Sequence, residues 1–375
     1  MKKILIFLLS LALFVSMPTT MYAKDKEIKV KSSILMCSNT RDILLEDNAY
    51  EHLSPASVTK IMSILLFLEA IDGGKISLDD MVPASENAVS KGGSQIWLEV
   101  GEKMSVNDLL KAVIISSAND ACTLLGEYVA GSDSGFVDMM NSKVKELGLT
   151  NSHFENCTGL DDDTTDHYSC AYDLAIIACE VMKYDLVKEY STVWLDSLRG
   201  GKTELNNTNK LVNKYSGITG LKTGTTSNAG FCLCATASRD GLNLVSVVLG
   251  ADTSDDRFDK SCELLDYGFA NYKIEKFSFD ENKINNVKVK NGVIKEIKPI
   301  IDNTNEIIVP KSSSDFEYTY KISKEVKAPV KSGDKLGEII VKCDNKAIST
   351  VNLIAKDNIN KINYKYIFIY LLKNI

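Results

Sequence analysis

Ser57-Val58-Thr59-Lys60-Ile61-Met62-Ser63-Ile64-Leu65-Leu66-Phe67-Leu68 is the stretch on which the reading turns. From Ser57 to Ile71 it has the length of a helix, and Ile61–Leu68 is almost uniformly apolar. A helix that is apolar on every side belongs inside a core. Its head carries Ser57 and Lys60, three residues apart and therefore on one face of a helix. Serine is a weak nucleophile until a neighbouring base takes its proton. Lysine wedged into an apolar helix is disfavoured as the ammonium, which pushes its pKa toward that of a usable base. Near a helix N-terminus, backbone N–H groups favour developing negative charge at Ser57.

The surrounding segments alternate in texture. A capping pattern of Ser105 and Asp108 predicts a second helix before Leu109 and Leu110. A third is expected over Phe136–Leu147, stopped at Gly148. Phe231–Ala237 and Leu242–Leu249 read as two strands joined near Asp240-Gly241, a hairpin signal. Helices in mid-chain followed by hairpin strands predict an α+β fold, with helices laid on an antiparallel sheet. Beyond Glu275, short alternating runs such as Val287-Lys288-Val289-Lys290 and Phe316-Glu317-Tyr318-Thr319-Tyr320 predict a small all-β domain over 275–355.

Two further motifs stand out. Ser117-Ala118-Asn119 interrupts an apolar region with polar groups that need partners. Lys222-Thr223-Gly224-Thr225 precedes the hairpin. A lysine and a hydroxyl projecting from a strand suit a substrate carboxylate, and Gly224 would let a substrate backbone approach.

Composition narrows the alternatives. The chain has 375 residues, 45% hydrophobic and 25% charged, with a formal net charge of −7. That is a globular composition, and the acidic balance argues against a nucleic-acid partner. Met1-Lys2-Lys3, the apolar run Ile4–Val15 and Ala23 after Met21-Tyr22 predict a signal peptide over 1–23, hence an exported protein. Nine cysteines cannot all pair within one chain, and Cys232 and Cys234 would share one face of a strand. Buried, unpaired thiols are the expectation. No C-x-x-C occurs and the three histidines lack ligand spacing, so no metal site is expected. No G-x-S-x-G elbow is present either.

S-x-x-K, S-x-N and K-T-G in this order are shared by penicillin-binding proteins and class A β-lactamases. Around them, PASVTKIM (Pro55–Met62), GEKMSVNDLL (Gly101–Leu110), LGLTNSHFENCTGL (Leu147–Leu160), HYSCAYDLA (His167–Ala175) and GITGLKTGTT (Gly217–Thr226) resemble the D-alanyl-D-alanine carboxypeptidases, the low-molecular-mass penicillin-binding proteins of serine peptidase family S11. The resemblance covers roughly residues 30 to 355. It implies a β-lactamase/transpeptidase-like catalytic domain (24–274), a small β-sandwich domain (275–355) and a C-terminal amphipathic membrane anchor (356–375) with Ile359, Ile362, Tyr366, Ile369 and Tyr370 on one helical face. It further implies that Ser57 attacks the penultimate D-Ala carbonyl of a peptidoglycan stem peptide, with Lys60 as base and Ser117 as proton relay. Asn119 would hold the substrate amide, Lys222 and Thr223 the terminal carboxylate, and the backbone N–H groups of Ser57 and Thr225 the oxyanion. Arg257 would assist with the carboxylate. β-Lactam antibiotics would act as covalent inhibitors, and no cofactor is implied. The place of action would be the cell wall or the outer face of the cytoplasmic membrane.

Two rivals remain at this level. A class A β-lactamase needs a Glu followed four residues later by Asn on a loop between the second and third motifs. Glu155 is the best-placed acid and Gly159 follows it, while Glu204-Leu205-Asn206 lies too near Lys222. A cell-wall binding module that leaves an intact triplet unused is the other.

Overall fold

The computed structural model describes residues 28–162, 164–277, 279–302, 306–343 and 345–364. The expected signal peptide, and the anchor from residue 365 onward, lie outside the described residues.

A five-stranded antiparallel sheet organises the first domain. Its spatial order is Ile43–Asp47, Ser32–Cys37, Leu242–Ala251, Gly230–Arg239 and Ile218–Thr226. The Asp240-Gly241 hairpin is present, with Asp240 and Gly241 both at positive φ. Side chains alternate across the sheet as pleating demands. Ile34 and Met36 enter the larger core with Val245, Val247 and Leu249, while Leu35 and Cys37 enter a smaller one with Leu244 and Val248. Cys232 and Cys234 both face the larger core. Of the nine cysteines all but Cys262 are buried.

Helices cover both faces. Ser254–Asn271 packs Phe258, Leu265 and Phe269 onto the smaller core. On the other face Lys60–Asp72 runs through the middle of a helical layer made with Val106–Ile115, Asn119–Ala130, Asp133–Glu146 and Ala171–Val181. From Ile61 to Leu68 no side chain of that helix is exposed. Ser105 caps its helix by accepting from Asp108 N–H. The main departure from expectation is at Ser57. The α-helix begins only at Lys60, and Ala56–Thr59 forms one 3₁₀ turn before it. In that tighter turn residues three apart eclipse, which sets the Ser57 and Lys60 side chains one above the other.

The second domain is all β, with a four-stranded sheet (Ile300–Ile301, Lys346–Ile354, Lys335–Cys343, Phe316–Ile322), a three-stranded sheet and a two-stranded pair around two apolar clusters. Strand Tyr272–Lys276 follows the long helix directly and pairs with Glu306–Pro310, so the expected boundary at 274/275 falls inside a strand. At the far end Ile359 is 2% exposed, sits in the β-domain core and bridges Val330. It therefore takes no part in an anchoring helical face.

Candidate active site

The three motifs converge at one edge of the helical layer. Lys60 Nζ lies 3.0 Å from Ser57 Oγ, 2.6 Å from Asn119 Oδ1 and 2.8 Å from the Thr158 carbonyl. Lys60 is fully buried, and desolvation lowers its pKa to about 8, opposed by the nearby Cys122, Cys157 and Asp120. An ammonium here donates to all three acceptors. A neutral amine keeps two of those bonds and turns its lone pair toward the Ser57 hydroxyl.

Ser117 joins the helix Val106–Ile115 to Asn119–Ala130 in a left-handed conformation (φ +63°) and is 4% exposed. Asn119 Oδ1 accepts from Lys60, and its Nδ2 donates to the Gly92 carbonyl at 2.7 Å. With both ends engaged, Asn119 orients the lysine, a task that the resemblance alone did not assign to it. Asp120 beside it accepts the N–H groups of Ile96 and Leu98 and tethers the loop that carries Gly92.

Lys222-Thr223-Gly224-Thr225 forms the edge strand beside the serine turn. Thr223 Oγ1 donates to Thr208 Oγ1 at 2.7 Å, and Lys222 Nζ donates to its neighbour's carbonyl, Thr223 O, at 3.1 Å. Burial pushes Lys222 well below the usual lysine range, with further lowering from Lys60 and Arg257. Gly224 has a different reason to be glycine from the one expected. A Cβ there would lie 2.7 Å from Pro55 O and 3.0 Å from Ser57 N, so its bareness lets the serine turn pack on the strand.

Arg257 is 8% exposed and donates through Nη1 to Gly224 O at 2.9 Å, Thr225 Oγ1 at 3.0 Å and Cys232 O at 3.2 Å. Its guanidinium stacks on Phe231 and Phe258. It thus buttresses the end of the edge strand. Lys60, Lys222 and Arg257 together make this region electropositive, which suits a ligand with a carboxylate.

Several participants carry no sequence motif. Thr158 offers only its carbonyl, and Asn156 Oδ1 fixes that turn by accepting from Thr158 N and Gly159 N. Gly159 has φ +79°, and a Cβ there would overlap Ala56 O at 1.8 Å. His167 Nδ1 accepts from Glu155 N–H, which leaves Nε2–H to donate to Thr59 Oγ1 at 2.9 Å. Burial brings this imidazole to a pKa of about 4. Glu155 itself accepts from Thr165 and Asp166 N–H on an exposed loop.

A half-buried serine bonded to a buried lysine, at the junction of a helical layer and an antiparallel sheet, is an arrangement that suits an active-serine protein with an amine as base. The comparisons narrow this class. Residues 19–253 match peptidase S11, D-alanyl-D-alanine carboxypeptidase, and residues 272–361 match the penicillin-binding protein 5 C-terminal domain. The chain belongs to the D-alanyl-D-alanine carboxypeptidase family. D-alanyl-D-alanine carboxypeptidase DacF of Bacillus subtilis is 38% identical over 341 residues, covering 90% of this chain and 87% of the relative. Penicillin-binding protein 5 from Haemophilus influenzae superposes with a TM-score of 0.78 at 31% identity, over 90% of this chain and 99% of that one. Penicillin-binding protein D2 from Listeria monocytogenes, in its cefotaxime-bound form, superposes with a TM-score of 0.59 at 30% identity, over 64% of this chain and 97% of that one.

Proposed function

We propose that this chain is a serine-type D-Ala-D-Ala carboxypeptidase that trims peptidoglycan stem peptides through an acyl-enzyme and is trapped by β-lactams. The observation that carries the reading is the contact between Lys60 Nζ and Ser57 Oγ, 3.0 Å apart in a site dry enough to lower the lysine's pKa. Neutral Lys60 takes the Ser57 proton as Ser57 Oγ attacks the penultimate D-Ala carbonyl. The backbone N–H groups of Ser57 and Thr225 receive the oxyanion. Ser117, whose hydroxyl has no hydrogen-bond partner among the described residues, passes a proton to the departing D-Ala amine. Lys222 and Thr223 hold the terminal carboxylate, and Arg257 supports them through Thr225 and Gly224. Asn119 holds Lys60 in line and has one Nδ2 hydrogen left for the substrate amide. Water then releases the acyl group.

Such a substrate lies outside the cytoplasm, which agrees with a signal peptide over 1–23. The sequence of the expected anchor, 356–375, edged by Lys356, Lys361, Lys365 and Lys373, suits peripheral attachment to a membrane surface beyond Ile359. No described helix is long and apolar enough to cross a membrane.

The test is release of D-alanine from a diacyl-L-lysyl-D-alanyl-D-alanine peptide by residues 24–375, beside Ser57→Ala. Steady release by the first and none by the second is expected. Penicillin consumed quickly with no D-alanine released would instead assign a β-lactamase, and inertness toward both would assign a binding module.

A further inference from the structure

The loop that reaches Asn119 continues past the catalytic groups to Trp97. Trp97 is 77% exposed, between Ile96 at 2% and Leu98 at 4%. Its φ is +57°, a left-handed conformation that a bulky side chain rarely adopts. A lone exposed apolar residue is ordinary, but this one sits on a backbone fixed from both sides. Asp120 accepts Ile96 N–H at 3.1 Å and Leu98 N–H at 3.2 Å. Arg199, at the tip of the hairpin Leu195–Leu198/Thr203–Asn206, donates to the Ile96 carbonyl at 2.8 Å and the Trp97 carbonyl at 3.4 Å, and is itself paired with Glu102. Backbone strain held in place by several partners marks a functional position more often than a passive one. The result is an exposed indole carried on a fixed backbone.

Its location restricts what it can meet. Ser94 O accepts from Asn119 N at 2.7 Å, so the loop touches the catalytic cluster there. Trp97 follows three residues later, at most about 10 Å further along the chain. An extended stem pentapeptide spans at most about 17 Å from its terminal carboxylate to its attachment on the sugar. The indole therefore lies within the distance that the sugar end of a bound strand could reach. A pyranose ring has an apolar face of C–H groups and a polar rim, which matches the flat apolar face and single N–H of an exposed tryptophan.

The geometry points to Trp97 as a glycan-recognition residue, stacking on an N-acetylated pyranose of the peptidoglycan strand whose stem peptide occupies the Ser57 site. This rests on the carboxypeptidase reading, and it adds a subsite that selects strand-borne peptides over free ones.

The test compares wild type, Trp97→Ala and Trp97→Phe with three reactants: benzylpenicillin, a free stem pentapeptide, and the same pentapeptide on its muramyl disaccharide. Alanine is as strained at φ +57° as tryptophan, so the exchange removes the ring and leaves the backbone demand in place. Trp97→Ala should acylate with penicillin and cleave the free pentapeptide within about twofold of wild type, while kcat/KM on the disaccharide-pentapeptide falls about tenfold. Trp97→Phe should retain most of the wild-type preference. Equal changes on the two peptides, including none on either, overturn the inference, as does slowed penicillin acylation, which would make the residue a support of the loop. Wild-type protein that forms no penicillin adduct refutes the acyl-enzyme reading itself. Normal acylation without a disaccharide-specific loss refutes the Trp97 inference alone.

Discussion

The acylation rate of Ser57 should follow the titration of Lys60. With a pKa of about 8, roughly one Lys60 in ten is neutral at pH 7 and about nine in ten at pH 9. A lysine at its ordinary 10.5 would be neutral in only about one molecule in 3,000 at pH 7. Burial therefore raises the active fraction on the order of 300-fold, equivalent to about 3 kcal/mol. The same shift is a folding cost below pH 8. The folded state binds fewer protons than the unfolded one between pH 8 and 10.5, so this group's contribution to stability rises with pH across that window. Stopped-flow acylation by a chromogenic β-lactam, at pH values from 6.5 to 9.5, should rise about tenfold from pH 7 and level off near pH 9. Lys60→Met should lower acylation by about 10²- to 10⁴-fold at every pH. Its fold should survive. Relief of the ammonium's desolvation offsets leaving Asn119 Oδ1 and the Thr158 carbonyl short of a donor, at about 1–3 kcal/mol each. A rate independent of pH, or one climbing only above pH 10, would refute Lys60 as the base.

Other consequences are as direct. Gly224→Ala should misplace the serine turn, because the new Cβ would press on Pro55 O and Ser57 N; acylation should drop about 100-fold with secondary structure unchanged by circular dichroism. Burial holds Lys222 below the usual lysine range and a bound carboxylate would raise it again, so binding of a D-Ala-D-Ala analogue should be accompanied by proton uptake and weaken as pH rises. Calorimetry in buffers of different ionisation enthalpy would register that uptake. His167, with a pKa of about 4 against an ordinary 6.5, binds fewer protons folded than unfolded between those values, so acidification from pH 6.5 to 4 should remove up to about 3 kcal/mol of stability. His167→Gln should flatten that part of the stability profile. A thiol reagent should reach Cys262 first in the native protein, because the other eight cysteines are buried.

The parts of the site legible in the sequence were those whose chemistry resides in side chains at short spacing. Ser57 and Lys60 declare each other at three residues, and the apolar run behind them declares burial. The Thr158 carbonyl could not be read that way, because every residue has a carbonyl and only the fold brings this one to Lys60. Asp120 and Thr208 act through contacts to segments far away in sequence, and neither differs in type from an ordinary turn residue. Asn119 was recognised, but its engagement with both Lys60 and Gly92 depends on a loop whose path no local pattern specifies. Gly224 was singled out for substrate access, whereas the group that approaches it is the protein's own Pro55–Val58 turn. The fold class followed from the helices and the hairpin because pleating and helical periodicity are local properties. At Ile359 the same reasoning misled: a spacing that suits a helical face was instead a single bridge residue closing the β domain.

The most direct test of the account is the intact mass of residues 24–375 after exposure to excess benzylpenicillin, alongside Ser57→Ala. The account predicts a stable adduct of one penicillin on the wild-type chain and none on the variant. An adduct that persists in Ser57→Ala, or a wild-type chain that stays unmodified, would contradict it.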